Sequence, residues 1–250
     1  MNVLPLESLT EVSLDTLLEE SKSIINSVSE NWSQDKIYPV PFCGTTIKVT
    51  TAHKSIKGNS WYSRSTSLDE LPRDKREDCY KKLVKYLVGT LDASDFSSSH
   101  GTHSYYEQKY IHDLDSISIQ STPSGFNSAP NAITYLAQLV YKTPFPFKKR
   151  LFHELIYIVQ DQPDEYYVIS VPIMSNLFTE TPALGAGSSV NARYSSVERI
   201  SFDKHSGSLI WCMATCSSPG GLIPDALANM SMNSIVVKDV PSFLNWKEKS

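Results

Sequence analysis

The first regular pattern along the chain runs from Leu14 to Trp32. Leu14, Leu17, Leu18, Ile24, Ile25, Val28 and Trp32 recur at helical spacing, with Ser13 placed as a cap and Asp15 in the first turn. The spacing predicts an amphipathic helix over about residues 13–32 that docks on a body through its apolar stripe. A membrane-surface helix wants Lys and Arg beside that stripe, and Lys22 stands alone. Between Tyr38 and Ser67 the period shortens to two. "TTIKVTTAH" and "WYSRSTS" alternate and carry β-branched residues, which predicts short strands. "LPRDKREDCYKKLVKYLVGT" returns to helical spacing, with Pro72 in the first turn and Tyr80, Leu83, Val84 and Leu87 on one face. Its run of Arg and Lys is expected to be a solvated face rather than a phosphate site. A loop, "DASDFSSSHGTHS", leads into a short helix in "YYEQKYIHDLDS", a short strand in "ISIQS" and a break in "TPSGFNSAPN".

From Ala132 the chain is a succession of strands. "AITYLAQLVYK", "LFHELIYIVQ", "EYYVISVPI", "VNARYSSVERISF" and "SLIWCMAT" are separated by corners such as "TPFPFKKR", "DQPDE" and "DKHSG". No helix intervenes, so an antiparallel meander is expected. One link, "MSNLFTETPALGAGSS", is long for a hairpin. It is read as a binding loop or lid with Leu177 and Phe178 at an exposed tip.

The last strand apposes two apolar sets: Leu209, Trp211 and Met213 against Ile210, Cys212 and Ala214. A strand apolar on both faces lies inside a sheet that is covered on both sides. Pro219 ends it, and Gly220–Gly221 permit a sharp reversal. A helix then starts near Leu222, with Ile223, Leu227 and Met230 on one face. It either restarts at "KDVPSFLNW", capped by Asp239, or continues as one helix through Pro241. The predicted result is an α+β helix-grip fold: a curved antiparallel sheet around a long C-terminal helix, with apolar space between them. The halves look like parts of one domain over residues 1–250, with a core over about 38–247.

Composition adds exclusions. Hydrophobic residues are 40 % and charged residues 20 % of 250, which is enough apolar mass for a large core. A net charge of −4 argues against nucleic acid as a partner. Cys43, Cys79, Cys212 and Cys216 lack zinc or disulfide-framework spacing and are read as reduced, buried thiols of a cytoplasmic protein. No apolar run approaches the ~20 residues that span a bilayer, so membrane contact is expected to be peripheral and transient. The N-terminus carries no signal-peptide pattern.

Several blocks resemble a known family. "WCMATCSSPGGLIPDALAN…KDVPSFLNW" is similar to the end of START-like lipid-binding domains. "WYSRSTS", "THSYYEQKYIHDL", "TPFPFKKRLFHELI" and "ARYSSVERI" resemble, in order, segments of a fungal START-like family of unknown function. The likeness spans roughly Tyr38 to Trp246. Ser218 departs from the Asp that many relatives have before Pro-Gly-Gly.

The resemblance implies an internal cavity for a lipid or other hydrophobic small molecule, and a role as carrier, sensor or transfer protein. Polar groups to orient a head are sought at Arg193, Glu154, His153, Tyr157 and Tyr194, and apolar lining at Trp211, Met213, Leu227 and Met230. Strand parity leaves open whether Arg193 or its neighbour Tyr194 looks inward. Leu177 and Phe178, with the C-terminal helix, form the expected gate and membrane contact.

Catalysis is the less favoured reading. His100, His103 and Glu107 lack the HExxH arrangement and a third ligand, so no metal is expected. Gly-x-Ser-x-Gly and Walker patterns are absent, and no cofactor is called for. Glu154 and Glu198, if buried, could serve as acid and base in a helix-grip cyclase or hydrolase acting on a small hydrophobic metabolite. A third alternative is an interaction module whose cavity is closed.

Overall fold

The computed structural model describes residues 1, 4–10, 12–92, 102–123, 125–126, 129, 131–221 and 225–247, with the backbone alone for 225–229. Helix α1 (Leu14–Asn31) is capped by Ser13, whose hydroxyl accepts from the Thr16 N–H. Three strands follow: β1 (Ser33–Phe42), β2 (Thr45–Ile56) and β3 (Asn59–Ser67). A helical passage comes next, α2 (Arg73–Lys82) running into a π-helical turn (Leu83–Val88) and then α3 (His103–Tyr110). The remaining strands are β4 (Leu114–Ser121), β5 (Ala132–Tyr141), β6 (Arg150–Gln162), β7 (Glu165–Pro172), the two-residue β8 (Val190–Asn191), β9 (Arg193–Phe202) and β10 (Leu209–Ser218). Helix α4 (Asp225–Asn245) closes the order as one helix with Pro241 inside it. Of the two arrangements weighed from sequence, this is the continuous one.

The spatial order is β1-β2-β3-β10-β9-β7-β6-β5-β4, with short β8 parallel to β6. All neighbours along that order are antiparallel. The chain makes one meander through β3 and crosses to the far edge through the helical passage. It then meanders back until β10 pairs β3. The connection from β3 to β4 and the chain after β10 lie on the sheet's inner face, where α2, the π turn, α3 and α4 pack.

Both faces are covered. On the inner face Val49, Leu68, Ile156, Ile158, Val168 and Trp211 pack against Leu83, Tyr110, Val240 and Phe243. On the outer face Leu136, Leu155, Ile169, Val197 and Ala214 meet Leu17, Leu18, Ile24 and Ile25 of α1. Full burial of each such side chain contributes roughly 1.5–3 kcal/mol. Double coverage explains why β5 is buried at every position but its last.

Boundaries moved in physically sensible ways. The sequence pattern placed one helix over residues 71–90; its second half is π-helical and ends at Gly89, φ +77°. The short helix begins two residues earlier than expected because Thr102 supplies the cap, its hydroxyl accepting from the Tyr105 N–H. All four cysteines are free, and Cys43 is exposed rather than buried. Among the described residues no helix is long and apolar enough to cross a membrane.

Candidate functional site

The inner face is not wholly apolar. β3 carries Arg64 inward, and β9 carries Glu198 opposite it across β10; both are buried. Arg64 Nη2 donates to Glu198 Oε1, and the Trp211 indole N–H donates to the same oxygen. The guanidinium lies 4.2 Å from the Trp211 ring centroid, which shields it from water. Phe243 of α4 closes the other side of Trp211, centroids 5.4 Å apart. Arg64 Nε and Nη1, both buried, have no hydrogen-bond partner among the described residues.

Further acids converge here. Glu107 comes from α3, Glu154 from β6 and Asp239 from α4. Burial pushes the Glu107 carboxyl from its ordinary 4.5 up to about 7, helped by the charge of Glu198. Burial likewise raises Asp239 from 3.8 to about 7. Glu154 is raised well above its ordinary value by burial and by Glu107. Burial keeps His103 below its ordinary value; its Nδ1–H donates to the Leu87 carbonyl at 2.6 Å and its Nε2 lies 3.7 Å from Glu107.

Glu107, Asp239, Tyr141 and Tyr194 are deep in the protein by the mass around them, yet each keeps partial accessible surface. Phe152 joins the same wall, edge-on to Tyr141 (centroids 5.5 Å) and to Tyr194 (6.2 Å). An aromatic row on β5, β6 and β9 thus shares the inner face with Glu154, and Glu107 of α3 reaches it through the Tyr141 hydroxyl.

These acids have a pH consequence. An acid whose folded-state pKa is raised binds its proton more tightly in the folded protein, so its contribution to stability falls as pH rises from the unfolded value to the folded one. For Glu107 and Asp239 that window runs from about 4 to about 7. His103 and His153 are depressed and act oppositely, taking stability away as pH falls below 6.5. The free protein is therefore expected to unfold at lower urea at pH 7.5 than at pH 6.5, and Glu107→Gln to flatten that slope. Urea midpoints at fixed ionic strength check this; a rising wild-type midpoint over that interval contradicts it.

The residues singled out from sequence divide by parity. Glu154, Tyr194, Trp211 and Met213 face inward. Met213 packs on Met232 and Val236 of α4, and Tyr194 Oη lies 3.9 Å from Met213 Sδ. Arg193, His153 and Tyr157 point to the other face. Arg193 is exposed and borders a surface depression of about 760 Å³ near Glu20, Lys57 and Ser217. That depression is open and polar-rimmed, on the wrong side of the sheet for a hydrophobe. Tyr157 packs in the outer core, and His153 stands against Phe178 with ring centroids 6.4 Å apart. Met230 is 84 % exposed, and the Leu227 side chain lies outside the described residues, as does His100.

The expected exposed tip at Leu177 and Phe178 is corrected. Phe178 is 8 % exposed, and Leu177 packs on the outer core. Glutamines on the outer face hold this loop: Gln120 Oε1 accepts from Thr179 N at 2.6 Å, and Gln138 Oε1 from Ala183 N at 2.6 Å. Large apolar groups that are exposed include Phe145 (97 %) and Phe147 at the β5–β6 tip, with Met174 and Leu184 elsewhere in the loop that holds Leu177 and Phe178. Arg64, Glu107 and Asp239 were missed as site residues. Arg64 had a readable signal: a lone charged side chain in a strand otherwise made of small, polar and aromatic residues.

Comparison with known proteins adds a frame. A family model described as "Protein of unknown function (DUF3074)" matches residues 61–247. An uncharacterized Schizosaccharomyces pombe protein, C577.11, is 24 % identical over 114 residues, which is 44 % of this chain and 46 % of that protein. The match thus spans about half the length of that relative. Among solved structures, human STARD10 superposes with a TM-score of 0.59 at 12 % identity, covering 94 % of this chain and 82 % of that one. Human StAR-related lipid transfer protein 5 gives 0.58 at 7 % identity, covering 93 % and 96 %. The lipid transfer and protein localization domain of human StarD13 gives 0.53 at 13 % identity, covering 94 % and 98 %. At these identities the likeness is one of fold.

Proposed function

The chain belongs to the DUF3074 family, a fungal START-like family of unknown function, and from that premise we propose that it takes up one hydrophobic molecule between the inner sheet face and α4. The observation that carries this reading is the Arg64 guanidinium, buried on the inner face beside accessible deep groups and left with two unpartnered nitrogens. A buried cation half unsatisfied is costly in an empty protein, and a ligand head in that space relieves it. Chain methylenes add on the order of 0.8 kcal/mol each when buried. Native mass spectrometry of the purified protein, followed by solvent extraction, is the test. A stoichiometric co-purifying hydrophobe is expected. A protein that is mass-clean and fails to take up any long-chain probe removes the reading.

Membrane contact follows the exposed apolar groups rather than the Leu177–Phe178 segment. Phe145 and Phe147 stand at the β5–β6 tip beside exposed Lys142 and Lys148, an aromatic–basic pairing suited to an anionic bilayer surface. The variant Phe145→Ser/Phe147→Ser is expected to lose at least half its binding to vesicles containing phosphatidylserine. Its unfolding midpoint should stay unchanged, because neither ring is buried. Full vesicle binding by this variant eliminates the tip as the contact.

A second reading is favoured by one observation, the pair Glu107 and Asp239 poised near neutrality. Such groups are suited to proton transfer, as a helix-grip enzyme requires. Recovery of a chemically altered molecule after incubation with the extracted ligand distinguishes it from a carrier.

A further inference from the structure

Acidic groups outnumber basic ones inside this protein. Among the described inner-face residues Arg64 is the cation, against the carboxylates Glu107, Glu154, Glu198 and Asp239. Glu198 Oε1 accepts from both Arg64 and Trp211. Glu107 receives the Tyr141 hydroxyl at 3.4 Å, and the Glu154 carboxylate is hydrogen-bonded by Ser170. Among the described residues no neighbouring side chain supplies a second positive charge. Lys238, next to Asp239, is exposed. Lys82 is committed to the carbonyls of Phe243, Leu244 and Trp246 at the end of α4. His103 is held neutral by burial. The phenols that face the cluster, Tyr110, Tyr135, Tyr141 and Tyr194, are all pushed further toward their neutral form.

Glu107 and Asp239 both keep accessible surface, on the neighbouring helices α3 and α4. Arg64 adds the complementary feature: buried N–H groups that want an acceptor. Resting on the binding reading above, we propose that the head group accepted here is a protonated amine with a neighbouring hydroxyl or carbonyl, carried on a long apolar chain. The amine takes the place of the absent cation between Glu107 and Asp239, and the adjacent oxygen accepts from Arg64. A carboxylate or phosphate head gives these acids no counter-charge and can coexist with them only while they stay protonated, so it is disfavoured. The raised acids fit this arrangement: without a ligand they hold protons, and an arriving ammonium displaces those protons.

The full-length protein is titrated with dodecylamine, 2-amino-1-dodecanol, dodecanol and dodecanoic acid below their aggregation limits, by calorimetry at pH 7. The amine is expected to bind at least tenfold tighter than dodecanol, with the amino alcohol tighter still and the acid weakest. Amine binding is also expected to release protons, seen as a heat that depends on the ionisation enthalpy of the buffer. In Glu107→Gln/Asp239→Asn the amine-to-alcohol ratio should collapse toward one. Equal affinities, or a preference for the acid, overturn the head-group assignment while leaving hydrophobe binding in place. Failure of all four probes to bind overturns the binding reading itself. The wild-type comparison needs no variant, so the proposal stays testable if the double variant does not fold.

Discussion

Arg64→Leu is expected to cost about 3–5 kcal/mol of stability, a drop in unfolding midpoint on the order of 10 °C. The reason is not the loss of a favourable ion pair as such. Glu198 stays behind, buried, with only the Trp211 indole N–H from its former partners. An unpaired carboxylate there must either take a proton or draw in water. Trp211 also loses the guanidinium stacked on its ring. Restoring neutrality discriminates between causes: Arg64→Leu/Glu198→Met should regain most of the loss, because two apolar side chains replace two desolvated charges. Chemical denaturation of the wild type, both single variants and the double variant checks the cycle. If Arg64→Leu alone loses less than about 1 kcal/mol, the pair is not desolvated in solution and the site description fails with it.

The second large effect is expected at Gly220. Its φ is +61°, and a Cβ built there lies 2.2 Å from the Asn191 carbonyl oxygen. The obstacle is backbone of β8, which cannot rotate aside as a side-chain tip does. Gly220→Ala therefore combines left-handed strain of about 1–3 kcal/mol with a clash that displaces the link from β10 to α4. The neighbouring Gly221 is more forgiving: its Cβ meets Val190 Cγ1 at 3.0 Å, a side-chain atom. Hydrogen exchange should show faster opening in the first turns of α4 for Gly220→Ala than for Gly221→Ala, together with faster loss of any bound hydrophobe. Indistinguishable exchange in the two variants contradicts the tight approach to β8. This is the physical meaning of the Ser-Pro-Gly-Gly corner. The strand must turn within reach of another strand's backbone, and only a residue without Cβ fits.

The fold was legible where one side of an element meets solvent. Helix α1 shows this well: its polar face leaves Leu17, Leu18, Ile24 and Ile25 as an unmistakable stripe, and all four are buried. The inward parity of the strands was not legible, because α1 covers one face and α2–α4 the other. β5 is apolar on both sides, so its pattern carries no phase. That is how Arg193 drew attention although Tyr194 is the inward neighbour. Asp239 was read as a helix cap because a carboxylate before Pro usually is one. It lies inside α4, and its environment is set by Glu107 and Glu198, more than 130 and 40 positions from it in the chain. Leu177 and Phe178 looked exposed because a long loop usually is. Gln120 and Gln138, on the outward parity of their strands, bind the loop's backbone and bring the two apolar residues down with it.

Helix α4 is fastened unevenly. Lys82 grips its final carbonyls, at 2.7 Å for Phe243 and 3.0 Å for Leu244. Just ahead of that clamp Pro241 lacks the N–H that would complete a rung of the helix. A clamp followed by a missing rung makes a pivot, and everything before it is a lever. Met230 lies eleven residues along, roughly 16 Å from the pivot at 1.5 Å per residue. A tilt of 20°, ordinary for a proline-weakened helix, swings that end by about 6 Å, more than the thickness of a methylene chain. The polar groups sit near the pivot, where the swing is smallest.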